Sequence, residues 1–129
     1  MGAPEGKLRI LVVDDSQDFA ETLKYELEKT AGFDVRIETR PTWALATARA
    51  YRPNLILCDI IMPEMDGGAV AAEIAADGEL YRTPVVFLTA VVSKEAAGAQ
   101  QVTIAGRSFV PKEASPKEII ACIEAELAK

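Results

Sequence analysis

The sequence contains no histidine and only two cysteines, and these shortages exclude two common kinds of site. Without an imidazole there is no histidine general base, so acid–base catalysis of that kind is excluded. Two thiols without an imidazole cannot supply the four ligands of a usual structural zinc site. Cys58 lies in an apolar run and Cys122 on an apolar helix face, so both are expected to be small core residues.

Positive charge and long apolar runs are also scarce. The 20 acidic residues outnumber the 14 basic ones and give a net charge of −6, which argues against nonspecific binding to nucleic acid or to an anionic membrane. No apolar run is long enough to cross a bilayer, and the start of the chain lacks the apolar core of a signal peptide, so the expected location is the cytoplasm. The 129 residues predict one domain over 7–129, preceded by a flexible leader over 1–6.

The most informative stretch begins with the apolar run 55–58, which ends on Asp59 and is followed by a turn containing Pro63 and Gly67. A continuous apolar run of this length predicts a strand that is buried on both faces. An ionised carboxylate at the end of such a strand is costly unless a metal or an ammonium lies opposite it. Asp59 is therefore predicted to be the central functional residue.

Strands and helices are predicted to alternate along the whole chain. The other predicted strands cover 8–13, 33–38, 84–89 and 108–110. The predicted helices are one capped by Asp15 or Ser16 and ended by Gly32, and others over 41–51, 64–76, 93–105 (short and weak) and 115–127. Alternation of this kind predicts a doubly wound α/β fold. Because the first, third and fourth strands are apolar throughout, the expected five-stranded parallel sheet has the flavodoxin-like order 2-1-3-4-5.

Polar residues follow the predicted strands at the point where each strand ends. They are Asp14, Asp15, Asp59, Thr89 and Lys112. The carboxyl ends of parallel strands meet at the edge where open α/β sheets bind ligands, so three carboxylates would repel one another there unless a cation bridged them. Oxygen ligands favour Mg²⁺, and a carboxylate beside Mg²⁺, a lysine and a hydroxyl is suited to accept a phosphoryl group.

With these residues in place, the sequence resembles the receiver domains of two-component response regulators over 7–127. Four motifs in chain order carry the resemblance: 12–16 (VVDDS), 59–67 (DIIMPEMDG), 86–90 (VFLTA) and 109–112 (FVPK). The resemblance implies a signalling domain that assists its own phosphorylation and is not a classical enzyme. It implies that Asp59 accepts a phosphoryl group from a phosphohistidine on a sensor histidine kinase or phosphotransfer protein.

The resemblance also implies roles for the surrounding residues. Mg²⁺ would be held by Asp15, Asp59 and the backbone carbonyl of Ile61, with Asp14 contributing through water.

Thr89, Ala90 and Lys112 would bind the phosphoryl group. Thr89 would move toward it and Phe109 would turn inward, which would change the face formed by the fourth helix, fifth strand and fifth helix for binding of a downstream protein or output domain.

Two departures from the family pattern affect this site. The family usually follows the lysine with a proline in a cis bond, whereas Glu113 follows Lys112 here. Ile61 places an apolar side chain at a position that is often polar, and it is predicted to alter how fast water reaches the acyl phosphate.

Two other functions compete with the phosphorylated switch. A docking module that works without phosphorylation is supported only by the Lys112–Glu113 departure. A flavodoxin-like cofactor binder is disfavoured because the loop 14–18 (DDSQD) would repel a phosphate in the absence of metal. No output domain follows Lys129 in this sequence, and the sequence leaves open whether the domain acts alone or within a longer chain.

Overall fold

The computed structural model describes residues 6–90 and 107–129, together with the backbone of residues 102–104. Within these ranges the strands are β1 (Arg9–Val13), β2 (Asp34–Glu38), β3 (Leu55–Asp59), β4 (Val85–Thr89), β5 (Val102–Ile104) and β6 (Arg107–Pro111). The α-helices are α1 (Gln17–Ala31), α2 (Ala44–Tyr51), α3 (Gly67–Ala76) and α4 (Pro116–Leu127), and a 3-10 turn over Pro41–Trp43 precedes α2. None of the helices in these ranges is long and apolar enough to cross a membrane.

The strands form one sheet in the order β2-β1-β3-β4-β6-β5. The pairs β2–β1, β1–β3, β3–β4 and β4–β6 are all parallel. Since β6 is the predicted fifth strand, the parallel order 2-1-3-4-5 and the flavodoxin-like fold are confirmed. The short β5 adds an antiparallel strand next to β6, with Val102 opposite Phe109, which was not predicted.

The predicted helix over 93–105 is therefore wrong at residues 102–104, and its other residues lie outside the described ranges. Val102, Thr103 and Ile104 are all β-branched. Branching at Cβ restricts the side chain in a helix and favours the pleated geometry of a strand. Three such residues in succession beside β6 explain why this stretch pairs with the sheet.

Side chains of the strands alternate between two buried faces. The first face is covered by α1 and α4 and contains Ile10, Val12, Leu55, Leu57, Val86, Leu88 and Val110. The second face is covered by α2 and α3 and contains Leu11, Val13, Ile56, Cys58, Val85 and Phe87. Both Cys58 and Cys122 are buried as predicted, and burial raises the pKa of the Cys122 thiol to about 11.

The first and the last helix, α1 and α4, both begin with a capping hydrogen bond. The Ser16 hydroxyl accepts a hydrogen bond from the Phe19 N–H at 3.3 Å, and α1 ends at Gly32, whose φ of 71° is left-handed. At α4 the Ser115 hydroxyl accepts from the Glu118 N–H at 3.2 Å, while the Glu118 carboxylate accepts from the Ser115 N–H at 2.8 Å. This reciprocal pair is a capping box.

The third helix begins later than the predicted residue 64. Glu64 has a φ of 72°, which is incompatible with a right-handed helix, and Asp66 is the N-cap. The Asp66 carboxylate accepts a hydrogen bond from the Ala69 N–H at 2.8 Å. The turn after β3 is therefore longer than the sequence pattern indicated, and Asp66 ends it by capping α3.

An ion pair joins α2 to the end of α3. Arg49 Nε donates to Asp77 Oδ1 at 2.7 Å, and the backbone N–H groups of Glu79 and Leu80 donate to Asp77 Oδ2 at 2.9 and 3.0 Å. The Asp77 side chain is only 3% exposed. The Arg49 hydrogen bond, followed by these N–H groups, lowers the pKa of the Asp77 carboxyl below its usual range.

We expect Asp77 to stabilise the fold at neutral pH and to lose that effect in acid. Because its pKa is lower in the folded than in the unfolded chain, the stabilisation is complete above the unfolded value of about 4 and disappears as the pH falls through the folded value. Asp77→Asn should lower the urea unfolding midpoint at neutral pH, and its difference from the parent should shrink in acid. Glu73→Gln, an exposed change on α3, is the control. A difference that persisted undiminished in acid would contradict this account.

Candidate functional site

The register of β1 and β3 brings two carboxylates side by side at the carboxyl edge of the sheet. Val13 lies opposite Cys58. Asp14 follows Val13, and Asp59 follows Cys58. The Asp14 N–H donates to the Glu38 carbonyl at 3.1 Å, so the backbone ladder continues to this residue. Asp14 is fully buried and Asp59 is 5% exposed. Both carboxylates are therefore held in place by the sheet and largely removed from water.

Asp15 completes an acidic cluster with Asp14 and Asp59. One carboxylate oxygen from each residue lies within 4.8 Å of the others, and Asp15 is the exposed member. Asp14 Oδ1 accepts a hydrogen bond from the Ser16 N–H at 2.9 Å. Its other oxygen, Oδ2, is buried and accepts no well-aligned hydrogen bond from the described part of the chain. The buried oxygen therefore needs a positive charge nearby.

Lys112 supplies that charge from the loop after β6. Its Nζ lies 2.8 Å from Asp14 Oδ2 and 3.3 Å from Asp59 Oδ2, and its backbone N–H donates to the Thr89 carbonyl at 3.0 Å. The bond between Lys112 and Glu113 is trans. The departure from the family pattern at Glu113 therefore does not prevent the ammonium from reaching both carboxylates.

The charges of the cluster affect the pKa values of its members. Burial, and then the negative charge of Asp14, raise the pKa of the Asp59 carboxyl, although Lys112 acts in the opposite direction. Burial lowers the pKa of the Lys112 ammonium, but the carboxylates of Asp14 and Asp59 outweigh it, and the pKa is raised. The ion pairs thus keep Lys112 charged, and one ammonium faces three carboxylates.

This arrangement fits a hard divalent cation. The cluster provides three carboxylate oxygens within reach of one another, an excess of negative charge, and a buried oxygen without a well-aligned hydrogen bond. Such all-oxygen sets suit Mg²⁺, which binds through few carboxylates and keeps several waters. Asp14, Asp15 and Asp59 could hold the ion. The backbone carbonyl of Ile61 stays a predicted fourth ligand, and the Ile61 side chain is 67% exposed in the turn after β3.

The predicted switch residues Thr89 and Phe109 belong to β4 and β6 and lie on the second face of the sheet, with Thr89 at the carboxyl edge. Thr89, the last residue of β4, is 2% exposed, and strand alternation puts its side chain on the same face as Phe87. The half-buried Phe109 also packs on this second face, with its ring centroid 5.2 Å from that of Phe87. Ala90 follows Thr89 directly and is exposed. The carboxylates and the lysine are in contact with one another, whereas Phe109 packs on the second face against Phe87.

One contact at this site was missed by the sequence interpretation. The ring centroid of Phe19 lies 4.8 Å from Lys112 Nζ. Phe19 recurs with Leu23 and Leu27 at every fourth position, and this pattern predicts only an apolar stripe on α1. The available signal was an aromatic side chain in the first turn of a helix that begins at the acidic loop.

Gly67 determines how closely α3 approaches the site. A Cβ at this position would overlap the carbonyl oxygen of Asp59 and lie 2.9 Å from the Cα of Ile60. The Gly67 N–H donates to the Ile60 carbonyl at 2.7 Å. Only glycine permits this contact between the start of α3 and the backbone that carries Asp59.

We expect Gly67→Ala to destabilise the fold by about 1–3 kcal/mol, because the added methyl group must displace the backbone at Asp59. Gly68→Ala is the matched control, since a Cβ there would meet only the Asp66 side chain at 3.4 Å. Alanine is favoured over glycine in a helix, so the control should be neutral or more stable. Urea unfolding measures both changes, and equal stability of the two variants would contradict the close approach.

Comparison with known proteins assigns this chain to one family. The family model for the response regulator receiver domain matches residues 10–124. The DNA-binding response regulator MtrA of Mycolicibacterium paratuberculosis is 35% identical over 127 residues, which cover 94% of this chain and 52% of that protein. The chain therefore spans about half the length of the curated relatives it matches.

Two solved structures have the same fold. The chemotaxis protein CheY4 of Vibrio cholerae superposes with a TM-score of 0.78 at 24% identity, covering 93% of this chain and 98% of that one. The signal receiver domain of the response regulator NarL from Mycobacterium tuberculosis gives a TM-score of 0.75 at 27% identity, covering 97% of this chain and 98% of that one.

Proposed function

Because this chain belongs to the response regulator receiver domain family, we propose that it is a phosphorylatable signalling switch whose phosphoryl acceptor is Asp59. The observation that carries the proposal is the Lys112 ammonium, which contacts the carboxylates of both Asp14 and Asp59 at the carboxyl edge of the sheet. A buried carboxylate that ends β3 beside a lysine and a potential metal site has the surroundings that phosphoryl transfer requires. Such a domain assists its own phosphorylation and is not a classical enzyme.

The donor is a phosphohistidine on a sensor histidine kinase or a phosphotransfer protein. A carboxylate oxygen of Asp59 attacks the phosphorus, the P–O bond forms, and the P–N bond breaks. The imidazole leaves with the bonding electron pair and takes up a proton. Asp15, Asp59 and the Ile61 carbonyl would hold Mg²⁺, with Asp14 contributing through water, and the ion would supply neutralising charge for the phosphoryl oxygens.

Lys112 and Thr89 would receive the new phosphoryl group. Lys112 is already within ion-pair distance of Asp59 Oδ2, at 3.3 Å, so a small movement would bring its ammonium to a phosphoryl oxygen. The Thr89 hydroxyl lies at the end of the neighbouring strand and would donate a hydrogen bond, with Ala90 beside it. Lys112 reaches the cluster although its bond to Glu113 is trans. The departure at Glu113 therefore gives weaker support to a docking module that works without phosphorylation.

The signal would leave through the face that contains β6 and α4. Movement of Thr89 toward the phosphoryl group frees space on the second face of the sheet, where Phe109 packs against Phe87. Turning of the Phe109 ring into that space would alter the surface of β6, where a downstream protein or an output domain would bind. Of the predicted fourth helix of this face, residues 102–104 form β5 instead, and its other residues lie outside the described ranges. The net charge of −6 argues that this segment does not itself bind DNA.

We expect incubation with acetyl phosphate and Mg²⁺ to add one phosphoryl group to the parent protein and none to Asp59→Asn, as measured by intact mass. Here the P–O bond to the acetyl group breaks and acetate leaves. Chelation with EDTA should abolish the gain because the three carboxylates would no longer be bridged. Asp18→Asn, an exposed change near the cluster, should still be phosphorylated.

A phosphoryl group found on Asp59→Asn would place the acceptor elsewhere. A parent that gains no mass with acetyl phosphate or a panel of kinases would favour the docking module.

Ile61→Asn should shorten the lifetime of the acyl phosphate by about two- to tenfold, the effect of one hydrogen bond to the attacking water. The Ile61 side chain, 67% exposed two residues after Asp59, offers water no such bond. The measurement is the loss of phosphoryl mass with time after the donor is removed. Tyr81→Asn is the control, because Tyr81 is exposed but precedes β4 at the opposite edge of the sheet. An unchanged lifetime would exclude this role of Ile61.

A further inference from the structure

We propose that Phe19 is a positioning residue for Lys112, whose ammonium its ring holds by a cation–π interaction at the edge of the acidic cluster. The inference rests on the proposed function, in which Lys112 meets the phosphoryl group. Phe19 gives α1 a role in that step, namely the positioning of Lys112. Neither the acidic residues nor the lysine can perform this role alone.

The geometry is that of an energetically significant contact. Lys112 Nζ lies 4.8 Å from the ring centroid, inside the distance of about 6 Å at which a cation is attracted to the face of an aromatic ring. The Lys112 side chain is only 21% exposed. Loss of water around the ammonium strengthens such a contact relative to one on the open surface.

One short segment of the chain, residues 14–19, supplies two of the groups that contact the ammonium, Asp14 and Phe19. Asp14 Oδ1 accepts from the Ser16 N–H at 2.9 Å, and Ser16 Oγ in turn accepts from the Phe19 N–H at 3.3 Å. These two bonds connect the end of β1 to the first turn of α1. The carboxylate that binds Lys112 and the ring that contacts it therefore keep a constant relation to each other.

The ring is also supported from behind. Phe19 is half-buried and packs against the core on the first face of the sheet, which α1 and α4 cover. It occupies one side of the Lys112 ammonium and keeps water from that side. Two of the remaining directions lead to Asp14 and Asp59.

During phosphoryl transfer, the neutral ring of Phe19 can behave differently from the carboxylates of Asp14 and Asp59. Lys112 must weaken its ion pairs with Asp14 and Asp59 when it binds a phosphoryl oxygen. The ring carries no net charge, so it can keep its contact with the ammonium during this exchange. Phe19 thereby limits the positions that the lysine explores and keeps it directed at Asp59.

The test varies the electronics of the ring while its shape is nearly constant. Phenylalanine at position 19 is replaced by analogues with one, two and three ring fluorines, which progressively weaken the negative face of the ring, and by leucine in Phe19→Leu. The readout is the rate of acyl phosphate formation from acetyl phosphate with Mg²⁺, followed by intact mass. We expect the rate to fall stepwise along the series, by about two- to fivefold in total, and Phe19→Leu to be at least as slow.

The control removes a similar contact from the same helix. Lys29 Nζ lies 5.5 Å from the ring centroid of Tyr25, which is 59% exposed on α1. Tyr25→Leu should leave the rate of phosphorylation unchanged. A second measurement, made without any donor, is the urea unfolding of Phe19→Leu, Lys112→Met and the double variant, whose effects should be non-additive.

The outcomes separate this inference from the proposed function. A parent that is not phosphorylated overturns the proposed function and the inference with it. A phosphorylated parent whose rate is the same for all the fluorinated rings overturns the inference alone, even if Phe19→Leu is slow, because Phe19 would then act only by packing. Additive unfolding effects of Phe19→Leu and Lys112→Met would likewise overturn it.

Discussion

The ion pairs of Lys112 with Asp14 and Asp59 are the interaction on which the site depends. Two of the three carboxylates are buried, and without the ammonium their charges would face each other in a region from which water is largely excluded. Breaking a buried pair by removing one partner leaves an uncompensated charge, which is strongly destabilising. The single lysine compensates only part of the charge of the cluster. The residual negative charge of the three carboxylates could hold a cation, as the proposed function requires.

The rest of the fold holds these charges in position through the backbone. Parallel register aligns the ends of β1 and β3, and the Lys112 N–H bonds the carbonyl of Thr89, so the lysine loop is tied to the end of β4. The cap at Ser16 and the close approach of Gly67 hold the two flanking helices against the same edge. Asp59, the proposed acceptor, therefore lies on a strand of the sheet, whereas the groups proposed to move are side chains.

In the proposed switch, one face of the sheet contributes to phosphoryl transfer and the other to signalling. Phe19, which contacts Lys112, packs on the face that α1 and α4 cover, whereas Phe109 packs on the other face, to which strand alternation also assigns the Thr89 side chain. A phosphoryl group on Asp59 would lie at the edge where both faces meet. The charge of that phosphoryl group could therefore act on residues of both faces, which the sheet otherwise separates.

The sequence by itself determined the parallel strands and their order, because apolar runs that end on polar residues carry both the burial of a strand and the position of its end. The same local logic predicted that α1 is capped by Asp15 or Ser16 and ended by Gly32, and it placed Asp14, Asp59 and Lys112 at one edge. Only the tertiary structure decided the pairing of Val102 to Ile104 with β6, the contact at Gly67 and the position of the Phe19 ring over Lys112. The contact of Phe19 with Lys112 joins residues far apart in the chain, whereas the other two features depend on the exact backbone path between residues 3 to 8 positions apart. Hydrophobic periodicity contains no information on either.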